Sequence, residues 1–578
     1  MSLSFALNMT SRSLIATDSK LSVAAQNITN ADKAGYTRKT MTNQYVTTNA
    51  GTVPIFASVQ GTIDRFLTAS VVADSSILGM NEIVNQYLDY YNTQIGKTDG
   101  STTLSGYMDQ LFSNLQLLGS SPETSANKAA VVMTAGNIAD TLRNLSYEIQ
   151  SQRLSADMKI ADTVTAINAS VAKIVEYNDE ILGAQQGDFA YAEYEDQRLA
   201  ELEKLAKEID IQYYFTSNNQ VQIYTASGQP LLLSNQYQLS YTPTNSISGA
   251  TLYPAGFQPI LLNGVDITTT MPSGALKGLI DVRDTIFVNE QQKLDEFATA
   301  LQTTVNAVLN QGASIPPRNN LEGTVAGFAL GDPFVGAGTI RVAITDNDGV
   351  VQDFQDINLG GLADINDVIT AINGIAGLTA SLTADGELSI VAANPDHGVS
   401  INENGSTVGA SNLGFSHYFG FNDMFVGTTA EFITVADYLI SDIDYLAVGV
   451  LSMDPLLAIG DRGVARGDGS IADATADALT SNVTFAAAGN FSAQSNTLKR
   501  YSQAIMADVA SQANVAQIEH DTSYLVYSQT KSILANKTGV NVDEETASMV
   551  DLQSQYQAAA KIITIIREMF DALFNAVR

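Results

Sequence analysis

From Val540 to the C-terminal Arg578 there is no glycine and no proline, so nothing in the backbone interrupts a helix. Asp543, Glu544 and Glu545 put negative charge at the positive end of such a helix's dipole. Beyond them Met549, Leu552, Tyr556, Ala559, Ile563, Ile566, Phe570, Leu573 and Val577 alternate spacings of three and four without a break. That is a seam for a neighbouring helix. Burying one such large side chain contributes roughly 1.5–3 kcal/mol, so the seam strongly favours having a partner. The other chain end supplies one. Residues 1–34 also lack glycine and proline, and Leu7, Leu14, Leu21 and Ile28 recur every seven residues, with Leu3 and Ala24 on the second line of the repeat. The pattern predicts a coiled coil of the two ends. A lone helix pair barely offsets a backbone ordering cost of about 1–2 kcal/mol per residue. Both ends are therefore expected to be mobile in a monomer and to become helical on assembly.

Between the ends, the 578-residue chain has room for three or four domains. Hydrophobic content of 45% against 16% charged residues describes a globular rather than a disordered chain. A net charge of −32 repels phosphate and anionic membrane surfaces, so neither nucleic acid nor membrane is an expected partner. With no cysteine, disulfides, thiol catalysis and cysteine metal sites are excluded. The first residues lack the charged and apolar regions of a secretory signal, and no apolar run reaches the length of a membrane span. The three histidines are scattered, without ligand spacing. Asp346 and Asp348 precede Gly349 as in a calcium loop, but the required glutamate position is Ile357. Ser528-Gln-Thr-Lys531 has none of the companion motifs of a serine acyl-transfer site. No catalytic residue, metal or cofactor is expected, and the chain does not read as an enzyme.

The interior divides by period. From Ser75 to about Gln185 the pattern is helical, and Ile160, Val164, Ile167, Val171, Ile174 and Ile181 form another seam, broken by Asn178. A further helix is expected at about Tyr191–Ile209, then alternating strands at about 211–263. Residues 325–425 read as a β-rich insert that folds alone and is dispensable for assembly. In it Ile340–Ile344 and Leu388–Ala392 alternate, and Asn347-Asp348-Gly349 makes a hairpin turn. Pro455 is the last proline, so the rest is free to be almost entirely helical. The expected fold is α+β and multidomain. It comprises a terminal coiled coil (1–50 and 480–578), a helical-bundle core (51–320 and 426–479) and the β-rich insert (325–425).

Asn27-Ile-Thr-Asn30 followed by Gly35-Tyr36-Thr37-Arg38 reads as a helix stop and turn, because asparagine favours helix ends and glycine takes positive φ. This motif, with GVNVDEE and LQSQYQAAAKII at the other end, resembles the terminal signatures of flagellar rod, hook and hook-associated proteins. Lys33 and Ala34 stand where that family usually has Thr-Pro, which implies a looser turn. Ala371-Ile372-Asn373 is similar to the hook IN motif, and the Gly-Asp-Gly-Ser at 467–470 to the segment returning family members to their terminal helices. Gly274-Ala-Leu276-Lys-Gly278-Leu279, Arg283-Asp284, Leu294-Asp295 and Asn306 resemble landmarks of hook-associated members, although Leu309 replaces a frequent histidine.

The resemblance implies a structural subunit that connects hook to filament and self-assembles into a helical tier through its terminal helices. The implied partners are the hook protein, the second junction protein and an export chaperone. The implied location is the extracellular flagellum, reached by flagellar type III export without a cleaved signal. The assembly interface would be Leu7, Leu14, Leu21 and Ile28 with Leu552, Tyr556, Ala559, Ile563, Ile566, Phe570 and Leu573, next to the motif residues Asn27, Asn30, Gly35, Tyr36 and Arg38. Another axial subunit is the nearest alternative. A flagellum-carried hydrolase would need a convergent acidic or histidine site that the sequence does not show.

Overall fold

The computed structural model describes residues 3–48, 51–96, 100–185 and 187–576, with the backbone course alone for 43–48 and 51–57; Val577 of the seam lies outside them. From the N-terminus, α1 (Leu3–Thr29) leads into an antiparallel hairpin, β1 (Lys39–Thr48) and β2 (Gly51–Gly61). Four helices follow: α2 (Arg65–Ile95), α3 (Leu104–Ser120), α4 (Ser125–Gly183) and α5 (Phe189–Glu208). A small sheet, Ile211–Phe215 with Val221–Thr225 and Pro230–Leu232, precedes α6 (Ala275–Asp281) and α7 (Phe287–Leu309). The insert carries α8 (Ile365–Asn373) and α9 (Phe415–Phe419). The chain returns through α10 (Asp437–Ser441) and α11 (Ser470–Thr480) to two long helices, α12 (Leu498–Thr538) and α13 (Val542–Ala576).

Helix α4 organises the bundle. Its seam residues Ile160, Val164, Ile167, Val171, Ile174 and Ile181 are all buried. Asn178, the polar break, is buried too, and its amide is what docks the small sheet. Its Nδ2 donates to the Val221 carbonyl at 3.1 Å, while its Oδ1 accepts from the Val221 N–H at 3.0 Å and from Arg198 at 2.9 Å. The landmark Arg283 lies in a π-turn, Val282–Ile286, between α6 and α7. There it is fully buried, pairs with Asp157 at 2.7 Å and donates to the Tyr241 hydroxyl. Asp64 caps α2 by accepting from the Phe66 and Leu67 amides.

Two differences from the sequence expectation concern the C-terminal part. Leu498, Tyr501, Ile505, Met506 and Val509 of α12 sit in the bundle core rather than in a terminal coiled coil. Residues past Pro455 are not almost entirely helical either: 456–469 contain no helix, and Val483–Phe485 pairs with Gln494–Asn496. Gly460, Gly463, Gly467 and Gly469 disfavour a helix there.

The insert has its own apolar core, running from Leu321 to Phe421. Its strand Thr339–Asp346 lies between Val351–Asn358 and His397–Asn402, so every residue from Ile340 to Thr345 is buried and the expected alternation fails. Gly349 in the hairpin turn has φ +78, and a Cβ there would lie 2.3 Å from the Val464 carbonyl oxygen. Asn373 of the IN motif holds the following strand, donating to the Ala380 carbonyl and accepting its N–H. Residues 449–464 run against this sheet as a strap. Arg341 pairs with Asp356 and donates to the carbonyls of Ser452 and Asp454, and Asn402 donates to that of Leu451.

Candidate assembly interface

The two chain ends meet. Helices α1 and α13 pack together along the seam read from the sequence. In α1, Leu7, Leu14, Leu21 and Ile28 are half-buried, with Val23 and Ala24 buried. In α13, Ala559 and Ile566 are buried, Leu552, Tyr556, Ile563 and Phe570 are half-buried, and Leu573 is exposed. Both ends are thus helical within a single chain, where the sequence argument had them ordering only on assembly. The physical reason is that each seam covers the other, and the pair is anchored at its base.

That anchor is the turn after α1. Gly35 takes φ +79. Asn27 is buried, and its Nδ2 donates to the Lys39 carbonyl at 2.9 Å. Its Oδ1 accepts the Lys39 N–H at 3.0 Å and the Tyr36 hydroxyl at 2.9 Å. Asn30 donates to the Gln26 carbonyl, inside the last turn of α1. Arg38 then joins the two ends. Its N–H donates to the Thr538 carbonyl at 2.7 Å, and its Nε donates to Glu545 at 2.6 Å, with Glu544 3.7 Å from its Nη1. The two sequence signatures are one contact in space.

Two residues that sequence reasoning missed fix this turn to the bundle. Lys39 is buried, and its ammonium donates to Asp196 of α5 at 2.6 Å, to the Ala192 carbonyl and to Thr37. Thr37 in turn donates its N–H and hydroxyl to Asp196. Burial pulls the Lys39 ammonium below its ordinary range and pushes the Asp196 carboxyl above its own; their mutual attraction opposes both. Burial, with Asp196 second, also raises the Tyr36 phenol. Lys39 follows the motif directly, which was a usable signal; nothing in the sequence marks Asp196.

Among the described residues around the joined ends, two surfaces are open. The first is an apolar stripe on α13 beside the seam: Ile562, Ile565, Met569 and Phe574, each 47–71% exposed, next to the uncovered seam end at Leu573. Ile518, Leu525 and Ile533 extend exposed apolar surface onto α12. The second is a groove of about 1100 Å³ between the turn, α2, α5 and α12, with Tyr36, Val71, Leu199, Tyr527 and Leu534 among its walls. Across it, Tyr527 and Lys531 of α12 both donate to Glu203 of α5. Among the described residues no three His, Asp or Glu side chains gather as metal ligands, and no helix is long and apolar enough to cross a membrane.

A helix pair closed on itself, a polar anchor at its base and an exposed apolar stripe beside it characterise the joined ends of this subunit. Residues 65–323 match the family described as "Flagellar hook-associated protein FlgK helical domain", and residues 535–576 match "Flagellar basal body rod FlgEFG protein C-terminal". Over those residues the chain is similar to flagellar hook-associated and rod proteins. It is 25% identical to Flagellar hook-associated protein 1 of Salmonella typhimurium, over 98% of this chain and 99% of that one. To the protein of the same name from Escherichia coli K12 it is 22% identical, with the same coverage. Its fold is like that of the flagellar hook junction protein FlgK from Burkholderia pseudomallei, with TM-score 0.50 and 14% identity over 80% of this chain and 99% of that one.

Proposed function

We propose that this chain is a non-enzymatic structural subunit of the bacterial flagellum that forms the junction connecting hook to filament. It self-assembles into a helical tier through its terminal helices, with the hook protein on one side and a second junction protein on the other. An export chaperone holds it before type III export to the extracellular flagellum. The observation that carries the reading is the stripe Ile562, Ile565 and Met569 on α13. It lies outside a seam that α1 already occupies, so only another chain is left to cover it. Each such side chain buried contributes roughly 1.5–3 kcal/mol, and repetition around a tier multiplies that gain. The motif residues Asn27, Asn30, Gly35, Tyr36 and Arg38 act one step back, holding the helix pair at a fixed angle to the bundle. Replacing Ile562 and Ile565 together with Asp tests this. The stripe is exposed, so the monomer is expected to keep its circular dichroism and melting, while junctions and filaments fail to form because an unpaired charge resists burial. Normal filaments carrying this variant would refute the assignment of the interface.

A further inference from the structure

Helix α12 buries one face and leaves an apolar line on the other. Val509, Ala513, Ala516 and Ser523 are buried against α2 and its neighbours, and Tyr527 and Lys531 reach Glu203 of α5. At about 3.6 residues per turn, Val515, Ile518, Leu525 and Ile533 fall on the opposite face, with Thr522 and Gln529 completing the line between them. These four apolar side chains are 48–65% exposed. After an extended Gly539 the chain continues as α13, whose stripe Ile562, Ile565 and Met569 is open as well. Helices α12 and α13 do not pack along each other, so neither stripe covers the other within one chain.

The two stripes match in length and in charge. At a rise of about 1.5 Å per residue, Ile562 to Phe574 spans roughly 18 Å and Val515 to Ile533 roughly 27 Å, so the shorter line fits inside the longer. Lys561 borders the α13 stripe beside Ile562, and Glu519 borders the α12 stripe beside Ile518; both are exposed. Among the described residues neither of them has an ion pair in its own chain. One stripe thus carries a free cation at its edge and the other a free carboxylate.

We propose that the α13 stripe of one copy docks on the α12 stripe of a second copy of this chain, with Lys561 of the first against Glu519 of the second. This rests on the reading of the α13 stripe as an assembly surface and names what covers it. The two patches differ, so the contact is heterologous: each copy that docks leaves one stripe free for the following copy, and the contact propagates into a tier. Stacking α13 on α13 of a second copy would instead close a pair and leave Ile518, Leu525 and Ile533 in water. Apolar burial on both helices drives the contact, and the charge pair fixes its register.

The chain has no cysteine, so introduced thiols report on this contact alone. Ile518→Cys and Ile562→Cys stand next to the charge pair whichever way the helices run. Flagella from cells making the full chain with both substitutions are isolated, oxidised and resolved without reductant. A ladder of dimers and larger multimers is expected from the double variant and none from either single one. A dimer from Ile562→Cys alone, or no ladder from double-variant flagella of normal length, overturns the proposal. If the double variant does not assemble, the charges decide. Lys561→Glu is expected to lower the number of flagella with a junction on the order of tenfold, and Glu519→Lys in the same chain to restore it. No loss, or no restoration, overturns the proposal. Replacing Ile562 and Ile565 with Asp separates the two readings. Assembly by that variant removes the α13 stripe as an interface altogether; failed assembly together with an absent ladder leaves the interface standing and removes α12 as its cover.

Discussion

Replacing Asn27 with Ala removes a side chain that holds the base of the terminal helix pair. The amide satisfies both the N–H and the carbonyl of Lys39, a residue only 1% exposed, and also takes the Tyr36 hydroxyl. A buried polar group left without its partner costs about 1–3 kcal/mol. Two such groups amount to about 2–6 kcal/mol, part of which water recovers at the half-exposed edge of the turn. A loss of about 3 kcal/mol corresponds to a local opening roughly 150-fold more frequent. The assay is hydrogen exchange by mass spectrometry on the monomer. Amides of residues 24–41 are expected to exchange about 100-fold faster in Asn27→Ala, α1 and α13 to follow, and α4 to keep its protection. Asn27→Asp keeps the acceptor and loses the donor, so a smaller effect is expected. Exchange within threefold of the unmodified chain throughout residues 24–41 would refute the assignment of Asn27 as the anchor.

Three further outcomes follow from the same geometry. Asn178→Leu makes the α4 seam uniformly apolar, yet it strands Val221 and Arg198 and is expected to destabilise the bundle by about 2–4 kcal/mol; a raised melting temperature would contradict this. A double-mutant cycle between Arg38→Ala and Glu545→Ala is expected to give a coupling of only about 1 kcal/mol, fading in high salt, because the arginine side chain is 36% exposed; zero coupling at low salt would remove the bridge from the account. Gly349→Ala meets both a positive φ and the Val464 carbonyl, so it is expected to loosen the strap by about 1–3 kcal/mol, read as faster exchange at 449–464; unchanged exchange there would show that the strap does not rest on this turn.

Period carried much of the fold into the sequence. The seams of α1, α4 and α13 were legible because heptad spacing survives whatever partner a helix meets, as Ile160 to Ile181 and Leu552 to Phe570 show. Local turn chemistry was legible as well, in Gly35, Asn27 and the Asp348-Gly349 hairpin. Contacts between distant segments were not. Glu545 marks a helix start by its charge, and nothing local says that Arg38 reaches it. Asp196 looked like one acidic residue among 61. The alternation read at Ile340–Ile344 failed because a strand with neighbours on both sides and cover on both faces has no solvent face to mark. The strap at 449–464 is irregular backbone held by carbonyls, which leave no pattern in side chains. We therefore place the edge of the insert beyond 325–425, so that a clean deletion has to remove the strap with it.

The central claim is that this chain sits between hook and filament, held there by its terminal helices. Antibody labelling of isolated flagella, viewed by electron microscopy, tests it most directly. The account predicts a single narrow band of label at the boundary where the curved hook meets the filament, lost together with the filament in the Ile562→Asp, Ile565→Asp variant. Label along the filament or over the hook, or a flagellum that assembles fully in the absence of this chain, would contradict it.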